Sequence, residues 1–268
     1  MTMKRLFTVL AALAAASAFA SAQTVSELTS DFLTRTDIGA EWKLARRLHM
    51  DAGYELRTRG TMSDIADHRA SVGLNYKITP GLKAELGYTF IYHHKATAQT
   101  WSPRHRVSAA LSYTLKAGDW RFGLKEQFRV TRKGDANEYE EPVNALTLKS
   151  RFKVSYKGFK SLEPYAFVEG RNLLNAALVN ATYSTSSNNW GNYSFGGYGF
   201  VEPYFNRVRG AVGAKWKLSK HNAIDFCLME DYCYERNIDV SKDRTTLKSF
   251  TIDPALYTIA SVGYKYSF

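Results

Sequence analysis

Along most of the chain apolar and polar residues alternate with a period of two, in runs of about ten to fourteen residues bounded by turn formers, the pattern of strands with one greasy and one polar face. The final run, residues 256–268, shows it best. Thr258, Ala260, Val262, Tyr264, Tyr266 and Phe268 share one face, and Tyr257, Ser261, Gly263, Lys265 and Ser267 the other. The first run, residues 32–44, sets Ile38, Ala40, Trp42 and Leu44 against Arg35, Asp37, Glu41 and Lys43. Residues 50–59 follow, with Met50, Ala52, Tyr54 and Leu56 opposite Asp51, Glu55, Arg57 and Arg59. Further strands are predicted over 72–78, 82–92, 107–115, 120–130, 146–156, 162–171, 207–218 and 223–235.

The connections alternate short and long. Arg46-Arg47, Thr79-Pro80-Gly81 and the turns at 116–119, 157–160 and 219–222 are short, whereas 60–67, 93–103, 131–144, 172–206 and 236–255 are long. Pro and Gly sit where tight-turn geometry wants them. This alternation is the habit of transmembrane up-and-down barrels, with short turns toward the periplasm and long loops outward. The aromatics agree. Trp42, Tyr76, Tyr113, Tyr156, Trp216 and Tyr266 lie on the apolar face just before short turns or the C-terminus, and Tyr92, Phe128 and Tyr234 lie near the opposite ends, as two interfacial girdles require. The fold class expected is therefore all-β, a transmembrane antiparallel up-and-down barrel. Eleven strands are visible, and an even count with both termini in the periplasm asks for one more. Residues 24–31 are the candidate, so twelve strands are expected, with ten as the alternative.

The first residues read as an export leader: Lys4 and Arg5 precede an apolar run over 6–20, and Ala20-Ser21-Ala22 before Gln23 fits a signal-peptidase site. Residues 1–22 are assigned to that signal peptide and 23–268 to one barrel domain in the bacterial outer membrane. Nothing else is apolar enough to span as a helix, and open sheet edges are not tolerated in hydrocarbon, so a membrane protein of this sequence must close its sheet. The chain carries 36 Lys and Arg against 25 Asp and Glu, a formal net charge of +11. In an exported protein this excess points to anionic lipid or anionic solutes and away from nucleic acid. Cys227 and Cys233 share one strand face, about 20 Å apart, too far to bridge.

The basic residues concentrate on the polar face. Arg57, Arg59, Arg69, Arg106, Arg121, Lys125, Arg129, Lys149, Arg151, Arg171, Arg207 and Arg209 are the main lumen candidates. Arg35, Lys43, Lys77, Lys83, Lys153, Lys215, Lys217 and Lys265 join them, opposed by Asp37, Glu41, Asp51, Glu55, Glu85, Glu163, Glu169, Asp225, Asp231 and Glu235. Such a lining concentrates anions, and guanidinium forks suit carboxylate or phosphate. The competing expectation is that these long side chains cross-link and close a narrow barrel, which then serves as a structural scaffold presenting the 172–206 loop. A soluble secreted barrel with the apolar face inside has the same periodicity. His68, His93, His94 and His105, with Asp64 and Asp67, fall near the outer strand ends and are read as solvated loop residues. Glu126 and Glu230 fall on the apolar face. No catalytic residue, metal site or cofactor is assigned. The partners expected are outer-membrane lipid, the barrel-assembly machinery and small anionic solutes.

Two resemblances sharpen this. The ending Val262, Tyr264, Tyr266, Phe268 resembles the assembly signal of bacterial outer-membrane barrels. Glu41-Trp42-Lys43-Leu44, Tyr54-Glu55-Leu56-Arg57, the His105-Arg106 strand start and the terminal Phe resemble the outer-membrane barrel family catalogued as domain of unknown function 2490, common in Bacteroidetes-type bacteria. That resemblance implies fold and location, and it brings no activity with it.

Overall fold

A computed structural model of the chain describes residues 24–25, 27–96, 98–136, 141–175, 179–184, 189–195, 203–240 and 247–268. The leader expected over 1–22 lies outside the described residues. The strands are β1 (Thr24–Val25), β2 (Thr29–Lys43), β3 (Leu48–Arg59), β4 (Asp64–Lys77), β5 (Leu82–Lys95), β6 (Thr100–Ala117), β7 (Trp120–Lys133), β8 (Asn144–Tyr156), β9 (Leu162–Leu173), β10 (Val179–Ser184), β11 (Asn189–Phe195), β12 (Tyr204–Lys217), β13 (Asn222–Val240) and β14 (Leu247–Ser267). From β2 to β9 each strand pairs antiparallel with the next, β9 passes to β12, and β12, β13 and β14 complete the meander. β14 pairs with β2 over Ala255↔Thr29 to Ser267↔Glu41 and closes the sheet into a barrel. β10 and β11 form a separate hairpin in the connection after β9.

The wall holds eleven strands among the described residues, where twelve or ten were expected. The seam explains the difference. β1 and β2 both lie along β14, Thr24 opposite Thr251 and Thr29 opposite Ala255, so the candidate stretch 24–31 supplies Thr24–Val25 and the start of β2 and adds no further wall strand. An odd meander brings its first and last strands side by side in the same direction, and the β2–β14 seam is parallel. The wall consequently starts at the long-loop rim, and the premise that both ends sit at the short-turn rim is corrected.

Several strands outrun their apolar alternation. β4 begins at Asp64, β6 at Thr100 and β14 at Leu247, and β7 reaches Lys133, inside stretches predicted as loops. Ladder hydrogen bonds continue beyond the end of the apolar face, so periodicity underestimates these strands.

The predicted faces are observed. Val72, Leu111 and Val262 point outward, 45 %, 55 % and 44 % exposed, while Glu169 and Asp231 inside are 2 % and 1 % exposed. This is the reverse of a soluble barrel, so the version with an apolar interior is corrected. Outward rings gather at both rims. Trp42 stacks on Phe268 at 5.3 Å and Tyr266 meets Phe268 edge-on at the short-turn end. Tyr92 stacks on Trp101 at 5.0 Å at the other end. Phe268 also donates its backbone N–H to Glu41 O at 2.9 Å, so the terminal residue completes the seam. Glu126 and Glu230 do point outward. Each accepts a cross-strand hydroxyl, from Ser150 at 2.6 Å and Thr258 at 2.9 Å.

Candidate functional site

Alternate residues of every wall strand turn into the lumen, and strand parity alone decides which. One part is a lattice of buried ions. Glu169 on β9 receives Lys149 and Arg151 from β8, both at 2.5 Å, and lies 3.6 Å from Arg209 on β12. Arg209 donates to Asp231 on β13 at 2.5 Å, and Arg207 adds a second contact to Asp231 at 3.4 Å. A buried carboxylate costs several kcal/mol to desolvate, and sharing each among several cations offsets that cost.

Beside the lattice lies an apolar plug. Phe167, Ala211, Met229 and Ile259 are buried together, with Leu33, Tyr165, Cys227 and Tyr257 packed against them. A Cβ on Gly213 would meet Tyr165 Cζ at 2.6 Å, so this glycine makes room for the ring. Tyr165 donates to Asp225 at 2.5 Å, and Lys153 sits 3.6 Å above its ring. Cys227 and Cys233 are free thiols. The sequence reading missed this plug because it classed the inward face as ionic. The signal was present: Tyr165 and Phe167 have the parity of Glu163 and Glu169.

The rest of the lumen is different. A cavity of about 620 Å³ opens toward the short turns, lined by Asp37, Glu41, Asp51, Glu55, Arg57, Arg69 and Lys265 among others. A second, of about 450 Å³, opens toward the long loops, lined by His93, Arg104, Lys133, Arg171, Tyr204 and Glu235 among others. Arg106 and Arg129 line both. Many of the cations in the two cavities are paired. Glu55 binds Arg57 and lies 3.7 Å from Arg69, which also holds Asp67 at 2.5 Å. Lys265 joins Glu41, and Lys125 and Lys83 join Glu85. Arg171 lies 3.3 Å from Glu235. Arg106 and Arg129 are exceptions: their Nε atoms donate to neutral oxygens, Thr131 Oγ1 and Gln127 Oε1, each at 2.9 Å.

Of the remaining lumen candidates, Arg59 pairs with Asp64 at 2.8 Å near the long-loop rim. Arg121 donates to the carbonyls of Gly118 and Trp120 at the short-turn rim, away from the central group. Lys43, Lys77 and Lys217 are exposed near that rim.

The histidines do not converge. His93 meets the buried Asp67 at 2.7 Å inside the barrel, His94 meets Asp64 at 3.2 Å, and His68 and His105 turn outward to the hydroxyls of Tyr54 and Tyr88. Asp67, read as a loop residue, is a buried lumen residue. Among the described residues no group of three or more His, Cys, Asp or Glu could hold a metal ion. Beyond β7, burial pushes the Asp135 carboxyl up, but the hydrogen bonds and charge of Arg104 prevail and hold it at about 2.

A family described as protein of unknown function (DUF2490) matches residues 36–242. No curated protein matches the chain. Among solved structures the chain is similar to the NanC porin at 11 % identity and a TM-score of 0.38, over 74 % of this chain and 87 % of that one. It is similar to the outer-membrane expressed OmpT of Vibrio cholerae at 10 % identity and a TM-score of 0.37, over 78 % and 57 % of the two chains. For an anion-selective porin from Comamonas acidovorans the values are 13 % and 0.32, over 82 % and 54 %.

Proposed function

The chain belongs to the DUF2490 family of proteins of unknown function, and from its inside-out barrel we propose that it sits in the bacterial outer membrane and passes small anionic solutes through its basic lumen. The apolar belt between two aromatic rims suits hydrocarbon, and a closed sheet satisfies its backbone there. The observation that carries the reading is the pair of cavities, one from each mouth, that both reach Arg106 and Arg129. Cations at a constriction favour anions over cations. The outward-facing ending Val262, Tyr264, Tyr266 and Phe268 serves as the signal that the assembly machinery reads.

Planar-bilayer recording of the purified barrel under a potassium chloride gradient tests this. The expected result is a reversal potential displaced toward the chloride potential. A cation-selective current would sink the proposal. A barrel that inserts without conducting would favour the closed structural reading, which draws support from the apolar plug.

A further inference from the structure

We propose that Arg106 and Arg129 together form a binding station for a small dicarboxylate midway along the lumen; this rests on the anion-passing reading and names the class of anion. Most arginines of this lumen are already engaged. Arg151 gives its Nε and Nη2 to Glu169, and Arg69 gives the same edge to Asp67. Arg106 and Arg129 use only Nε, and only on neutral oxygens. Those two bonds fix the planes of the guanidinium groups and leave the terminal nitrogens of both free to donate. Among the described residues no carboxylate lies within 4.0 Å of either group.

Their placement suits one ligand with two anionic ends. Arg106 is opposite Thr131 and Arg129 is opposite Ser108, so the two are diagonal neighbours on β6 and β7, with backbones roughly 7–8 Å apart. Each fork matches a carboxylate through paired, charge-assisted hydrogen bonds. Two like charges held side by side away from bulk water repel, and a dianion relieves that repulsion more completely than a monoanion. Both cavities reach the pair, so a ligand has access from either mouth. The next inward positions on β6, Ser108 and Ala110, carry small side chains.

The test is equilibrium dialysis of the full barrel in detergent against radiolabelled succinate, with acetate as the single-charge control. Succinate is expected to bind saturably at one site per barrel, acetate roughly tenfold or more weakly, and R106Q and R129Q are each expected to lower succinate affinity by about tenfold or more. K215Q, which removes a lumen cation elsewhere, is expected to leave binding unchanged. If the glutamine variants fail to fold, R106K with R129K keeps the charge and removes the forks, and succinate binding is expected to fall while anion selectivity persists. Equal binding of acetate and succinate, or succinate binding that survives loss of both forks, overturns the station. Bilayer recording on the same preparation separates the two proposals. Succinate binding without current retains the station and removes the pore, and anion-selective current without succinate binding does the reverse.

Discussion

The two sides of the lumen are written in one alternating pattern and hold opposite contents. Along β2 to β7 the inward positions include Gly39, Gly53, Ser71, Gly73, Gly87 and Ser108 between the long ionic side chains, and the larger cavity lies there. Along β9, β12, β13 and β14 the same parity carries Phe167, Met229 and Ile259, which are buried together, and Tyr165 and Tyr257, which pack against them. Both sides are rich in Arg and Lys. Charge therefore sets which solute a lumen favours, and the volume of the side chains between the charges sets whether there is space for one.

The sharpest way to break this contrast is to disable the lattice on the packed side. Glu169→Gln leaves Lys149, Arg151 and Arg209 facing a neutral group inside the barrel, and a buried network that loses one partner costs about 3–5 kcal/mol. The expected outcome is a large drop in the urea midpoint of the barrel refolded into vesicles, and an unchanged midpoint would remove the lattice as a source of stability. Ile259→Ala comes next. Ile259 is among the most deeply buried side chains of the plug, and truncation there is expected to cost about 2–5 kcal/mol. Ser71→Ala, at an inward position beside the larger cavity, should shift the same midpoint by less than about 0.5 kcal/mol. Equal effects at the two positions would erase the distinction.

What the sequence disclosed follows from this architecture. The period-two pattern assigned the faces because alternate residues of a strand point to opposite sides of the sheet, and Val72, Leu111 and Val262 are outside as expected. Parity puts Arg69, Lys149 and Arg209 on the inward face, where they meet buried carboxylates, but it does not show that Arg121 stays at the short-turn rim. The strand count did not follow from the pattern, because the length of an apolar pattern is blind to whether the closing partner is parallel. The stretch 24–31 has weak alternation, and the pairing of Thr24, Val25 and Thr29 with β14 depends on a contact between distant parts of the chain that no local pattern encodes. The plug was legible only after asking which inward residues are bulky. Which arginines are spent on carboxylates was not legible, since Arg151 and Arg129 have equal standing in the sequence and only the fold brings Glu169 within 2.5 Å of Arg151.

The open side can be sharpened without disturbing the packed one. Ser108→Trp puts a bulky side chain at the inward position opposite Arg129, so the barrel is expected to keep its urea midpoint while the bilayer current falls several-fold. The matching change at Ala211, buried in the plug, is expected to lower the midpoint and leave little folded barrel to record. Current that survives Ser108→Trp would place the solute path elsewhere.

The smallest effect lies at the long-loop rim. Arg104 Nε and Nη2 grip Asp135 at 3.0 and 2.7 Å, and beside them Gly134 N–H donates to Pro103 O at 3.3 Å. The Asp135 carboxyl titrates at about 2 in the fold and near 3.9 in an unfolded chain. A lowered folded value means that the contact contributes fully above about pH 4 and fades as pH falls from there toward 2. Carbon-13 NMR of the Asp135 carboxyl is expected to show that low midpoint, and amide exchange at Gly134, taken relative to its intrinsic rate, is expected to rise across the same window. Asp135→Asn should show the raised exchange already at neutral pH and no pH step. A midpoint near 4 would mean that Arg104 contributes nothing there, and the tip of the β6–β7 pair would then rest on its backbone ladder alone.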